Sequence, residues 1–354
     1  HSKSLILLNI EDALNFLHHA LQFCYSSEVF RVESFVQPVV AGFNLKCTKP
    51  KPKIYKDKFG HVCVTTLGPV RLQRAGAGRG REGGRHPCYD SISDILFQHK
   101  VKEHLHENGF IVDRFLISSQ GAPYFETAEG DAYTACVVMA GHNVDFVEGN
   151  ALLDVVAHVA RMHHVLGAAD IAFPARKAKA GGDAAKLKEN LTSLKKKLLK
   201  VGKFSDFDML FLRGYEELAP HVVAFGDEDD GAKSICHNLL KEENIYRQGG
   251  QIALTNFGAA AQMHYLHDLA YIIKRYIKAG PKEIMPIDKI LECYAAHCDK
   301  TLDDALFRRI LLYPEKFIKL TNDYYSKKRS FAPGTFLSRM QECLRVGKLL
   351  SENL

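Results

Sequence analysis

The sequence predicts an α+β protein in two lobes, a small N-terminal antiparallel-sheet lobe over residues 1–140 and a larger, mainly helical C-terminal lobe over 141–354. Three observations carry this reading. β-Rich runs punctuated by Gly60 and by Gly68-Pro69 crowd the first third of the chain. From about residue 150 onward, apolar residues recur at the i, i+3, i+4 spacing of amphipathic helices. One β-like pair, 244–246 and 251–257, interrupts those helices and is joined through Gly249-Gly250, a hairpin signal.

In chain order, Leu14, Leu17 and Leu21 with the acidic Glu11-Asp12 predict a leading helix over 10–25. Residues 34–43, 61–66 and 70–75 read as β-rich runs, and the Lys/Pro stretch 46–58 between the first two reads as a solvated loop. The string GAGRGREGGR at 76–85 has no apolar residue larger than alanine, so a flexible Arg/Gly loop is expected over 76–88. Ile95, Val101 and Leu105 predict a long helix closed by Asn108-Gly109. Strands are expected at 114–118 and 133–139. In the C-terminal lobe one helix is expected around Leu152 to Met162 and a second, lysine-rich one around Leu187 to Val201. Five further helical patterns cover 266–278, 286–298, 302–311, 315–326 and 335–350.

Composition narrows the function classes. With 354 residues, 46% hydrophobic and 25% charged, the chain suits globular packing and is neither fibrous nor broadly disordered. Its longest apolar stretches fall far short of the ~20 residues that span a bilayer, so no membrane span is expected and the chain reads as soluble. Nine scattered cysteines without a C-x-x-C pair fit a reducing compartment and cytoplasmic synthesis. The net charge of +6 is modest. Five arginines between 71 and 85 permit weak phosphate or RNA binding, but no aromatic residues are interleaved, so nucleic-acid recognition is not expected. Gly78 to Gly83 satisfies G-x-G-x-x-G as a string, yet no apolar helix follows it directly.

The segment that carries chemistry is 236–258. His237 and Asn244 stand seven residues apart, and Asn256-Phe257-Gly258 follows twelve residues after Asn244. Phosphotransferases of the kinase type need H-x-D-x-x-x-x-N and then a strand ending in D-F-G. The first Asp orients the hydroxyl that attacks, while the Asn and the later Asp hold the metal. Here the spacing is kept but the acids are lost: Leu239 stands at the first Asp and Asn256 at the second.

At this point the chain resembles the CotS-like spore-coat family, a branch of the aminoglycoside phosphotransferase and choline kinase-like group with a protein-kinase-like fold. The resemblance spans nearly the whole length and is sharpest in LHDLAYIIKRYIK (266–278), LLYPEKFIKLTNDYYSKKRSF (311–331), ILFQHKVKEHLHENGF (95–110) and VAHVARMHHVLG (156–167). It implies association with bacterial spores, other spore-coat proteins as partners, and a spore-coat location. Carried over by position, it places the phosphate-anchoring lysine at Gln73, an architectural Asp at Asp268, and the helix glutamate at Glu103 or Glu107. It also implies a nucleotide cleft among Arg71, Gln73, Val138, Met139, Asn244 and Asn256, should nucleotide still bind.

With Gln73, Leu239 and Asn256 all uncharged and only His237 and Asn244 retained, the expectation is a pseudokinase with a structural or interaction role and no cofactor or metal. A positioned acid or base is worth roughly 10² to 10⁴ in rate, which leucine cannot supply. The alternative is an ATP- and magnesium-dependent small-molecule phosphotransferase with rearranged residues. In it Arg71, two residues from Gln73 and on the same strand face, replaces the lysine. Glu242 and Glu243 are candidates for a relocated carboxylate. A weaker alternative is an anion- or nucleic-acid-binding module built on 46–58 and 71–85. Cys293 and His297 share a helical face but lack a second ligand pair, so core packing is expected there. His163-His164 and His18-His19 are read as structural, and the face carrying Lys186 to Lys200 as solvated.

Overall fold

The computed structural model describes residues 36–47, 54–57, 60–75, 91–173, 184–222, 233–328 and 333–354. The leading helix predicted over 10–25, His18-His19 and the Arg/Gly loop 76–88 lie outside them. The chain divides into two compact units, His1–Ile92 with Phe115–Val138 and Ser93–Arg114 with Met139–Leu354.

Among the described residues, the first unit is a five-stranded antiparallel sheet with one short helix, α1 (Val36–Gly42). Its strands are β1 (Ile54–Asp57), β2 (Gly60–Thr65), β3 (Gly68–Arg74), β5 (Phe125–Glu126) and β6 (Ala132–Val137), in the order β1-β2-β3-β6-β5. Val70 and Leu72 of β3 turn inward and pack with Val39, Val40, Phe43, Cys63 and Ala135. Alternation therefore places Arg71 and Gln73 together on the other face, opposite Cys136 and Thr134 of β6.

Three expectations are corrected here. Residues 34–43 read as β-rich, yet 36–42 form α1. Val39, Val40 and Phe43 fit one helical face that is buried, and Pro38 sits in the first turn, where its missing N–H costs nothing. The stretch 46–58 is not wholly loop, because β1 pairs antiparallel with β2 inside it. Residues 114–118 form no strand, only a single bridge from Phe115 to Cys136.

The second unit opens with the long helix α2 (Ile92–Glu107), closed as expected at Gly109, whose φ of +82° costs glycine nothing. A four-stranded sheet follows, β4 (Ile111–Val112), β10 (Gln251–Leu254), β9 (Ile245–Gln248) and β7 (His142–Asn143) in that spatial order. The β4–β10 pairing is parallel and the others antiparallel. A separate antiparallel pair joins β8 (Lys233–Cys236) to β11 (Ala261–His264).

Around these strands lie α3 (Ala151–Gly167), α4 (Ala184–Val201), α5 (Asp206–Leu218), α6 (Leu266–Ala279), α7 (Ile287–Ala295), α8 (Asp304–Leu312), α9 (Glu315–Asp323) and α10 (Pro333–Glu352). One large apolar cluster joins α2, α3, α6, α7 and α8 to the hairpin strands, with Val155, Val159, Ile272, Ile273 and Phe307 at its centre. A second gathers Phe207, Phe211, Phe317 and Met340 from α5, α9 and α10. Among the described residues, no helix is long and apolar enough to cross a membrane. Helix α5 opens on a capping signal in the sequence. Ser205 and Asp208 form a reciprocal capping box, with each side chain bonding the other's backbone N–H.

Candidate functional site: the loop after strand β8

Asp268, in the first turn of α6, is fully buried and anchors the loop that leaves β8. Its carboxylate accepts the backbone N–H of His237 and that of Asn238, each at 2.7 Å, and a third hydrogen bond from His163 Nε2 on α3 at 3.1 Å. The far nitrogen of His163, Nδ1, meets the Tyr294 hydroxyl of α7 at 2.7 Å. Burial pushes the Asp268 carboxyl up, but the His163 hydrogen bond, the nearby His237 and the Asn238 N–H outweigh it and hold the group below the usual carboxylate range.

His237 is locked as a neutral ring. The backbone N–H of Leu239 donates to its Nδ1 at 3.2 Å, so Nε2 carries the proton and donates to the Thr255 carbonyl at 2.9 Å. Burial lowers its affinity for a second proton, and Asp268 offsets this only in part. The ring also packs on Phe257 with centroids 4.5 Å apart. Asn238 bends the loop with φ of +58°, a conformation asparagine tolerates.

Asn244 closes the loop, donating from Nδ2 to the Leu239 carbonyl at 2.8 Å, while its own carbonyl accepts the Thr255 N–H at 2.9 Å. Asn256 lies beyond β10 in the left-handed region, φ +62°, and its Nδ2 is 3.4 Å from Asn244 Oδ1. The retained pair and the degenerate triplet thus converge: His237, Leu239, Asn244 and Asn256 belong to one hydrogen-bonded cluster within the second unit.

Two residues of this cluster were missed in the sequence. The Asn256 N–H donates at 3.1 Å to Asp113 Oδ2, just after β4, and the other oxygen of Asp113 faces the Lys102 ammonium of α2 at 3.1 Å. Both side chains are buried, with 1% and 7% of their surface exposed. One turn earlier on the same helix face lies Gln98, 1% exposed, whose amide nitrogen and oxygen have no hydrogen-bond partner among the described residues. The signal was available as a pattern: Gln98 and Lys102 stand four apart on the stripe that also buries Ile95, Val101 and Leu105.

Arg71, Gln73 and Val138 belong to the first unit, and Met139 begins the second segment of the other. Neither candidate helix glutamate lies on the buried stripe of α2. Glu103 is paired with Arg114 and Glu107 is exposed. Glu242 is held by Arg275 and Glu243 lies 3.8 Å from Lys241, so neither replaces a carboxylate beside Asn256. Cys293 donates to the Leu153 carbonyl and His297 bonds the carbonyl of Cys293, an ordinary packed helix end. His164 faces Asp299 on the surface. Lys195 pairs with Glu216 and covers the Tyr215 ring, while Leu187, Leu191, Leu194 and Leu198 of α4 turn to the core.

A kinase-type site would hold a divalent metal at positions 244 and 256, so the donor set there decides whether these residues fit one. They do not. The two amides are bonded to each other rather than offering both oxygens to an ion, and the neighbouring carboxylate, Asp113, is already met by an ammonium and an N–H. Hard divalent cations favour several oxygen ligands with charge among them. His163, Cys236 and Asp268 also approach one another closely, but Asp268 is committed to three hydrogen bonds and burial keeps the Cys236 thiol protonated. That trio is a packed network.

The chain matches no protein-family model and no curated protein. It is similar to solved structures over most of its length. An aminoglycoside phosphotransferase from Alicyclobacillus acidocaldarius superposes with TM-score 0.66 at 15% identity, covering 92% of this chain and 97% of that one. A spectinomycin phosphotransferase bound to AMP gives 0.60 at 10% identity over 91% and 98%. The amicoumacin kinase hAmiN, in complex with AMP-PNP, Ca²⁺ and Ami, gives 0.58 at 15% over 94% and 96%. The fold is therefore shared with these solved structures, an antiparallel-sheet unit and a mainly helical one.

Proposed function

We propose that the chain is a small-molecule-kinase-like protein of the aminoglycoside phosphotransferase kind that takes an ATP-type nucleotide, with phosphoryl transfer strongly slowed. One observation carries the reading. The loop 237–244 keeps the hydrogen-bonded frame that a phosphotransferase needs, pinned by Asp268 and tied by His237 and Asn244. Such a frame has little reason to survive without a ligand above it, because phosphoryl transfer depends mainly on positioning and electrostatics. The nucleotides in the similar solved structures support this choice of ligand.

The chemistry assigned to each residue follows from its donors. His237 and Asn244 hold the loop, and Leu239 presents a hydrocarbon where an acceptor hydroxyl would otherwise find its base. Turnover should therefore fall by about 10² to 10⁴ for that position alone. Thermal melting with ATP tests the nucleotide claim, since a ligand at 100 times its dissociation constant stabilises by about 2.7 kcal/mol. A clear rise supports the reading, and no rise at millimolar ATP removes it.

A second reading is favoured by the neutral side chains of Leu239 and Asn256 and by the resemblance of 266–278 and 311–331 to the CotS-like family. In it the protein is a pseudokinase with a structural role in spore-coat assembly, partnered by other coat proteins. Absence of any nucleotide effect, together with retention by isolated coat material, is the outcome that selects it.

A further inference from the structure

We propose that Lys102 is a resident cation that takes the place of a divalent metal, so that the loop pair carrying Asn244 and Asn256 closes around Asp113 without any bound metal. The inference rests on the nucleotide reading only for the identity of the ligand; its metal arm stands alone.

Residues 239 and 256 carry no charge, and besides Asp268, which is committed to the loop backbone and His163, the carboxylate at the cluster is Asp113, which accepts the backbone N–H of Asn256. A buried carboxylate with no counter-charge is strongly unfavourable. In a metal-dependent site the ion would supply that charge. Here the Lys102 ammonium does so at 3.1 Å, delivered from α2 with 1% of its side chain exposed. It lies close enough to influence the protonation of His237, as does Asp113.

The geometry agrees with the charge count. The ammonium counters the Asp113 charge through an ion pair to Oδ1, which makes no hydrogen bond among the described residues, while Oδ2 accepts the Asn256 N–H and Asn256 turns its amide nitrogen toward Asn244 Oδ1. An ammonium donates hydrogen bonds where a metal would collect oxygens. The charges of the cluster are met by groups belonging to the protein itself. It follows that a phosphate-bearing ligand bound by this chain would be held equally well with magnesium or with chelator.

The experiment uses manganese alone, read by melting temperature and by the paramagnetic resonance signal of free Mn²⁺. Wild type is expected to show no melting shift and no loss of free-ion signal at millimolar Mn²⁺. Lys102→Met strands Asp113, so it should melt several degrees lower, or fail to fold, and be restored by Mn²⁺. The double variant Lys102→Met, Asp113→Asn should fold and ignore Mn²⁺. The proposal is overturned if wild type is stabilised by Mn²⁺ and Asn256→Leu abolishes that effect. It is equally overturned if Mn²⁺ fails to rescue Lys102→Met while the double variant folds. ATP titrations with magnesium or with EDTA form the separate arm. A tenfold or greater gain from magnesium contradicts the resident-cation account, whereas no ATP effect in either buffer counts against the nucleotide reading and leaves the manganese result to decide this one.

Discussion

At Asp268 a single side chain satisfies two backbone N–H groups and a buried histidine. Asp268→Ala strands all three donors. At about 1–3 kcal/mol for each unsatisfied group, chemical denaturation should show a loss of at least about 3 kcal/mol. Gln98 is the converse case. Its amide is buried and unpartnered among the described residues, so Gln98→Leu should leave stability unchanged or raise it by about 1–3 kcal/mol in the same measurement. A third residue sets a pH dependence. Burial, helped by Arg161, pushes His158 down to about 4 from its ordinary 6.5. The unfolded chain takes up that proton near pH 6.5, the folded chain only near 4. Stability should therefore fall as pH drops through this window, by roughly 3 kcal/mol in all at about 1.36 kcal/mol per unit. His158→Phe, which keeps the edge-on contact with Phe110, should flatten the slope; an unchanged slope would assign it to other groups. At this scale the sequence was readable where motif spacing speaks, at His237, Asn244 and Asn256. Lys102 was legible only as a polar residue on the buried stripe of α2, and its pairing with Asp113 at the end of β4 leaves no spacing to find.

Among the elements, the helices with clean apolar stripes were legible to within a few residues, as at 266–279 and 304–312. Residues 36–42 were misread because valine's preference for strands is weaker than the packing of Val39, Val40 and Phe43 against the sheet. The pair β8 and β11 went unread because its four-residue strands lie far apart in sequence, with no turn between them such as Gly249-Gly250, which marks β9 and β10. Helix α5 makes a prediction of its own. A Cβ added at Gly214 would lie 2.6 Å from Leu344 Cδ2 and 2.7 Å from Phe317 Cε2, and the Phe317 ring is already stacked on Phe211. The close approach of α5 to α9 and α10 therefore requires glycine. Gly214→Ala should cost about 1–3 kcal/mol despite alanine's better helix propensity. Gly334→Ala, with open space around it, should be neutral or mildly stabilising, and equal melting temperatures for the two variants would refute the packing argument.

For the molecule as a whole, the two-lobed α+β architecture was visible in the change of period along the chain, and the similar solved structures bear that fold out. Function was less legible because the fold is shared widely, whereas chemistry sits in a few side chains. On the proposed reading, the loop 237–244 keeps a phosphotransferase frame in which Leu239 and Asn256 stand at the acidic positions. Phosphoryl consumption in a single turnover bears on this most directly: γ-labelled ATP is incubated with excess protein and a panel of aminoglycosides, comparing wild type with Leu239→Asp, Asn256→Asp. The account predicts that the double variant consumes ATP at least about 10² faster than wild type. Wild type turning over at about 1–100 s⁻¹, the ordinary kinase range, with no gain in the variant, would contradict it.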